Sequence, residues 1–188
     1  MCKLTFVYSS MNSGKSLSIL TKNYTLKQKG FNTIIMKPAL DDRTKTISTR
    51  LGIEEECLLI EQNENPSELI LKSNHDKPDF VMVDEAQFLS KEQVWDLANL
   101  VDNWGINVYC YGLRLDWTGN FFSGSEELMK IADELIPIEN FCKENKGALA
   151  FFHIKKGGSD NPVETGYEDL YDTVSRKFWK QWWDNKNG

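Results

Sequence analysis

Paired cysteine spacing is missing from this chain. Its four cysteines, Cys2, Cys57, Cys110 and Cys142, contain no CxxC pair and do not read as a disulfide framework, so a reduced compartment is the simpler expectation. Histidine is scarce. Neither His75 nor His153 has a partner at metal-ligand spacing, and a lone histidine is more often a surface or packing residue. There is no apolar segment long enough to span a bilayer, and the N-terminus has no signal-peptide pattern. The expected location is therefore the cytoplasm, or the host cytoplasm for a phage or viral copy. Excess positive charge is also absent. The net charge is −6 with acids and bases intermixed, which argues against broad electrostatic binding to nucleic acid or to a membrane surface. Internal repeats and low-complexity blocks are lacking too. What remains is an ordinary globular composition, 40% hydrophobic and 27% charged, over 188 residues. That is enough for one medium domain and a small appendage.

Strand-like runs alternate with helical patterns, which predicts an α/β domain with a mostly parallel sheet. The first strand covers residues 3–8. A helix over residues 14–29 follows, with Leu17, Leu20 and Tyr24 on its expected inner face and Gly30 as its C-cap. Further strands are expected at 33–36, 58–60, 80–83 and 106–111. Helices are expected at 66–74 and 124–133, and another is opened by the capping-box pattern Ser90-Lys91-Glu92-Gln93, with Val94, Leu97, Ala98 and Val101 as its stripe. From about residue 137 the character changes to loops, a strand over 148–154 and an aromatic helix. Residues 1–136 read as the core and 137–188 as a small lid.

Two motifs carry chemistry. Between the first strand and helix lies Ser9-Ser10-Met11-Asn12-Ser13-Gly14-Lys15-Ser16, a phosphate-binding loop whose backbone N–H groups and helix N-terminus suit a polyphosphate. Lys15 supplies a point charge, and the Ser16 hydroxyl is placed to ligate Mg²⁺. Ser9 stands where the general pattern has glycine. The apolar run Phe80-Val81-Met82-Val83 ends in Asp84-Glu85. Asp84 is the candidate to approach Mg²⁺ opposite Ser16, and Glu85 to accept a proton from an attacking nucleophile. A hydroxyl nucleophile makes the chain a kinase, and water makes it an ATPase. A retired nucleotide-binding protein is the third possibility. Asp84-Glu85-Ala86-Gln87 also suits a helicase motor, but such motors need a second core domain and an extended nucleic-acid surface.

Four segments together carry a resemblance: the phosphate loop, Lys37-Pro38-Ala39-Leu40-Asp41-Asp42-Arg43, Val83-Asp84-Glu85-Ala86-Gln87-Phe88, and Tyr111-Gly112-Leu113-Arg114-Leu115-Asp116-Trp117. Over nearly its whole length the chain resembles the thymidine kinases of the cellular, bacterial and phage type, the P-loop enzymes related to the human cytosolic form. The resemblance implies a RecA-like P-loop core with helices on both faces of a mostly parallel sheet, plus a small C-terminal lid over the nucleoside. It implies Mg²⁺ with ATP, thymidine as acceptor with deoxyuridine a plausible second substrate, and a homotetramer or dimer. It assigns Glu85 as the base for the 5′-hydroxyl. Ser9, Asn12, Ser13, Gly14, Lys15, Ser16, Arg43, Asp84 and Gln87 fall to ATP and its phosphates. Met11, Phe88, Leu113, Trp117, Phe122, Phe151, Gly166 and Tyr171 fall around the nucleoside.

Many members of that family fasten the lid with structural zinc. Here Cys142 has no following cysteine, and Ser175-Arg176-Lys177-Phe178 occupies the later pair, so a four-ligand site and its zinc are not expected. Tyr171, Val174, Phe178 and Trp182, with Trp179 and Trp183 beside them, follow helical spacing. They suggest an aromatic helix face as the lid's core in place of metal.

Overall fold

The computed structural model describes residues 1–40, 44–73, 76–157 and 170–187. Its centre is a parallel sheet of six strands in the order β5-β2-β6-β7-β1-β8, with β1 Leu4–Ser9, β2 Thr33–Pro38, β5 Leu58–Ile60, β6 Phe80–Val83, β7 Asn107–Leu113 and β8 Glu134–Pro137. The strands are apolar on both sides because both faces of the sheet are covered. Side chains alternate between the faces. Leu4, Phe6, Ile34, Met36, Val81, Val83, Val108 and Cys110 meet helices α2 (Pro66–Lys72), α3 (Lys91–Asp102) and α4 (Ser123–Ile131). Val7, Ile35, Met82 and Tyr111 meet helix α1 (Lys15–Gln28) and Ile47 of a small hairpin, β3 Thr46–Ser48 with β4 Glu54–Glu56.

Helix α3 starts as its sequence dictates. The Ser90 hydroxyl accepts from Gln93 N–H, and the Gln93 amide returns the bond to Ser90 N–H. Helix α1 corrects the expected inner face. Ile19, Leu20 and Asn23 are buried, whereas Leu17 and Tyr24 are exposed. The period holds but the phase does not. Asn23 turns inward because its side-chain carbonyl accepts from the Thr33 hydroxyl at 2.6 Å, which an apolar count cannot foresee.

Beyond β8 lies a C-terminal unit with its own core. Strands β9 (Ala150–Lys155) and β10 (Tyr171–Ser175) pair antiparallel, and helix α5 (Arg176–Asn187) packs on them. Cys142, Ala150, Ile154 and Val174 form its centre, covered by Phe152, Phe178, Trp179 and Trp182. The expected helical stripe is thus corrected. Tyr171 and Val174 belong to a β-strand, and the helix begins only at Arg176. β-branched Thr173 and Val174 suit the pleated pairing with β9. The family's zinc finds no fitting ligand set among the described residues. Cys142 Sγ accepts from Asn145 N–H at 3.3 Å, the Ser175 hydroxyl accepts from Phe178 N–H, and no group of three His, Cys, Asp or Glu side chains gathers.

Candidate active site

The phosphate loop leaves β1 at the carboxyl end of the sheet, beside the ends of β6 and β7, where α/β folds place ligands. Ser9 is buried. Its hydroxyl accepts from the Ser13 hydroxyl at 2.6 Å and donates to Ser10 C=O. The side chain thereby braces the loop that a glycine would leave unbraced. Lys15 is buried, with Nζ 3.0 Å from Ser10 C=O. The Ser16 hydroxyl donates to Asp84 Oδ2 at 3.2 Å, so the two expected Mg²⁺ groups are neighbours. Both are hard oxygen donors. Mg²⁺ is commonly held by one or two protein oxygens together with substrate phosphates, and this pair fits it. Burial, then the Glu85 charge, pushes Asp84 up to about 7. A carboxylate that is costly to ionise alone is stabilised by a cation.

Glu85 has a left-handed backbone (φ 50), strain of the kind found at functional positions. Its carboxylate accepts from the Gln87 amide, and the Gln87 carbonyl oxygen accepts in turn from Leu113 N–H at 3.0 Å. Gln87 was expected at the phosphates. It lines the cavity, but its amide is engaged in holding Glu85 to β7.

Two glycines make this arrangement possible. A Cβ at Gly112 would stand 2.9 Å from the Gln87 carbonyl oxygen. A Cβ at Gly124, in the first turn of α4, would stand 2.3 Å from Ala86 C=O and 3.0 Å from Leu89 C=O. Gly124→Ala is therefore expected to destabilise the fold by about 2 kcal/mol, because backbone rather than a flexible side chain must yield. It should also lower turnover by displacing the Glu85–Phe88 turn. Urea unfolding and steady-state kinetics on the same preparation check both.

A cavity of about 480 Å³ joins the two motifs, a volume in the range of small-molecule sites. Asn12, Ser13, Gly14, Lys15 and Ser16 line one part, and Glu85 and Gln87 reach it. Met11, Phe88, Leu113, Trp117, Phe122 and Tyr171 also line it, with the Phe88 and Phe122 rings edge to face at 5.6 Å. Trp117 is set by the C-terminal helix. Its carbonyl accepts from Trp179 Nε1–H at 2.9 Å, and the Trp182 and Trp183 rings pack on it at 6.2 and 5.9 Å.

Phe151 departs from expectation. It does not line the cavity but packs against the Tyr8 ring and beneath the Arg114 guanidinium. A slip in the pairing accompanies this: Val174 faces Phe152 and Ser175 faces Ala150, which leaves Phe151 as the unpaired residue of a β-bulge, where the strand's alternation is broken. Arg43 and Gly166 lie outside the described residues.

The structure adds residues that the sequence reading passed over. Arg50, in the turn between β3 and β4, lines the cavity and donates to the Asn12 side-chain carbonyl at 2.9 Å. His153, set aside as a packing residue, also lines it. Gly52 two residues after Arg50, between short strand-forming runs, was the available hairpin signal. Nothing in the sequence marked His153.

The chain is similar to known proteins over nearly its whole length. The model of the family described as thymidine kinase matches residues 2–179. The chain is 36% identical to a thymidine kinase of Shewanella oneidensis over 98% of its own length and 100% of that protein's. It is 35% identical to a thymidine kinase of Enterobacteria phage T4 over 96% of this chain and 97% of that one, and 36% identical to one of Photobacterium profundum over 96% and 98%.

Proposed function

Since the chain belongs to the thymidine kinase family, we propose that it transfers the γ-phosphoryl group of ATP to the 5′-hydroxyl of thymidine, and to that of deoxyuridine as a second substrate. The observation that carries this reading is the shared cavity. Glu85, braced by Gln87, faces the same space as Lys15 and Ser16, beside an aromatic wall that suits a flat base.

The loop N–H groups and Lys15 bind the triphosphate, with Arg50 adding charge near Asn12. Ser16 and Asp84 would hold Mg²⁺, and its charge would neutralise that of the phosphates. Phe88, Trp117 and Phe122 orient the nucleoside, and Met11 and Tyr171 close the space around it. Glu85 accepts the 5′-hydroxyl proton as O5′ attacks the γ-phosphorus. The new O–P bond forms while the bond to the β,γ-bridging oxygen breaks, leaving ADP and thymidine monophosphate. The C-terminal unit serves as a lid that excludes water, and with water excluded the hydroxyl wins as nucleophile.

Labelled ATP incubated with and without thymidine tests the reading. Labelled thymidine monophosphate is expected. Free phosphate at the same rate with or without thymidine indicates an ATPase, and no turnover indicates a binding protein. Either result overturns the proposal.

A further inference from the structure

One residue of the phosphate loop has both its backbone N–H and its C=O held by the C-terminal unit. His153 on β9 is buried, and its Nε2 accepts from Met11 N–H at 2.9 Å. The Leu115 backbone, on the segment that leads to Trp117, also acts on the ring. Burial, reinforced by the nearby Lys15 charge, keeps the ring neutral, so Nε2 is available as an acceptor. The carbonyl of the same Met11 residue accepts from the Asn140 amide at 3.1 Å and from the Thr173 hydroxyl of β10 at 3.2 Å. Asn140 also donates to the Ser10 hydroxyl at 3.1 Å.

The next residue, Asn12, has a left-handed backbone (φ 57), and Ser13 and Gly14 follow at the cavity wall with the N–H groups that would receive a phosphate. A hinge at Met11 would change the direction of those donors. Loop N–H groups act on a triphosphate only when they are already aimed, because aiming them at the moment of binding costs conformational entropy. The Met11 side chain meanwhile lines the cavity with the aromatic wall. Met11 therefore lies at the junction of the expected nucleoside and phosphate ends, and the groups fixing its backbone come from outside the loop.

We propose that His153, with Asn140 and Thr173, is a positioning residue that locks the Met11 backbone, presets the phosphate loop for ATP, and ties the loop to the unit that covers the nucleoside. His153 touches neither reacting group and acts through the loop. The same C-terminal unit also holds the Trp117 segment, through Trp179 Nε1–H to Trp117 C=O. Because the tie spans both substrate ends, a nucleoside that orders the C-terminal unit also orders the loop, and ATP binding becomes coupled to thymidine binding. This coupling rests on the proposed kinase reading. The presetting of the loop does not.

The test compares wild type with His153→Leu and His153→Gln, and with the double variant Asn140→Ala, Thr173→Val. Affinity for the Mg²⁺ complex of a non-hydrolysable ATP analogue is measured by calorimetry without nucleoside. In His153→Leu it should fall about tenfold. In His153→Gln, whose amide retains an acceptor and a donor, it should stay within about threefold of wild type. The double variant leaves the buried ring in place and should lose about fivefold even if His153→Leu does not fold. Saturating thymidine should tighten analogue binding several-fold in wild type, and the ratio should fall toward one in His153→Leu. In kinetics the ATP KM should rise more than the thymidine KM. A purely structural histidine would lower the unfolding midpoint and leave the analogue affinity of the folded protein and the KM ratio unchanged. That result, or wild-type affinity in the double variant, overturns the proposal. If wild type forms no thymidine monophosphate while the analogue affinities follow this order, the kinase reading fails and the loop lock stands.

Discussion

Glu85→Gln is expected to lower kcat by about 10²- to 10⁴-fold, the usual range for loss of a general base. The substitution is close to isosteric. The Gln87 amide still finds a side-chain carbonyl to donate to, and the left-handed backbone at position 85 is undisturbed. What disappears is the capacity to take a proton from the 5′-hydroxyl. Affinity for ATP should persist, because Lys15, Ser16 and the loop N–H groups are untouched. Stopped-flow or quench kinetics with labelled ATP, paired with calorimetric nucleotide binding, separate the two. A variant that retained a near-normal rate would remove Glu85 from the mechanism. A variant that lost nucleotide binding in parallel would show that the carboxylate organises the loop instead.

The core was legible because its signals are local. The phosphate loop, the acidic end of β6 and the Ser90 capping box each fall within a few consecutive residues, and the structure places all three as read. The unbroken apolar run Phe80-Val81-Met82-Val83 suits a strand covered on both faces, and the two buried clusters separate accordingly. The misses share a cause. Strand β8 carries exposed Leu135 and Ile136 at a sheet edge, so it has no burial pattern to detect. Strand β10 shows Tyr171 and Val174 at helical spacing and no apolar alternation, and only its pairing with β9 decides for a strand. For Gln87, which lines the cavity, the bonds to Glu85 and to Leu113 on another strand appear only after folding. His153 is the extreme case. Its role depends on a contact with Met11 across 142 positions of sequence, which no local pattern encodes.

Asp84→Asn is expected to steepen the rise of stability with pH, relative to wild type, across about pH 4 to 7. Asp84 is held up to about 7 in the folded protein, against 3.8 as its ordinary value. Between these values the folded state binds more protons than the unfolded one, so this group's contribution to stability falls as pH rises. His153 works the other way. It is depressed to about 4 from 6.5, so in that window the unfolded state binds more protons and stability rises with pH. In total the effects are on the order of 4 kcal/mol for Asp84 and 3 kcal/mol for His153. They oppose each other from about pH 4 to 6.5, and in wild type they largely cancel. Asparagine can preserve the contacts of Asp84, accepting from Glu85 N–H and donating to the Ser16 hydroxyl, while it does not titrate. The variant should therefore gain on wild type by on the order of 1 kcal/mol per pH unit over this range, as measured by urea unfolding at several pH values. The same carboxyl links stability to substrate. Holding Mg²⁺ favours its ionised form, so wild-type affinity for Mg²⁺-ATP should climb as pH approaches 7 and that limb should vanish in Asp84→Asn. A constant stability difference from pH 4 to 7, or an unchanged limb in the variant, would mean that Asp84 is already ionised throughout and that burial costs it less than its surroundings imply.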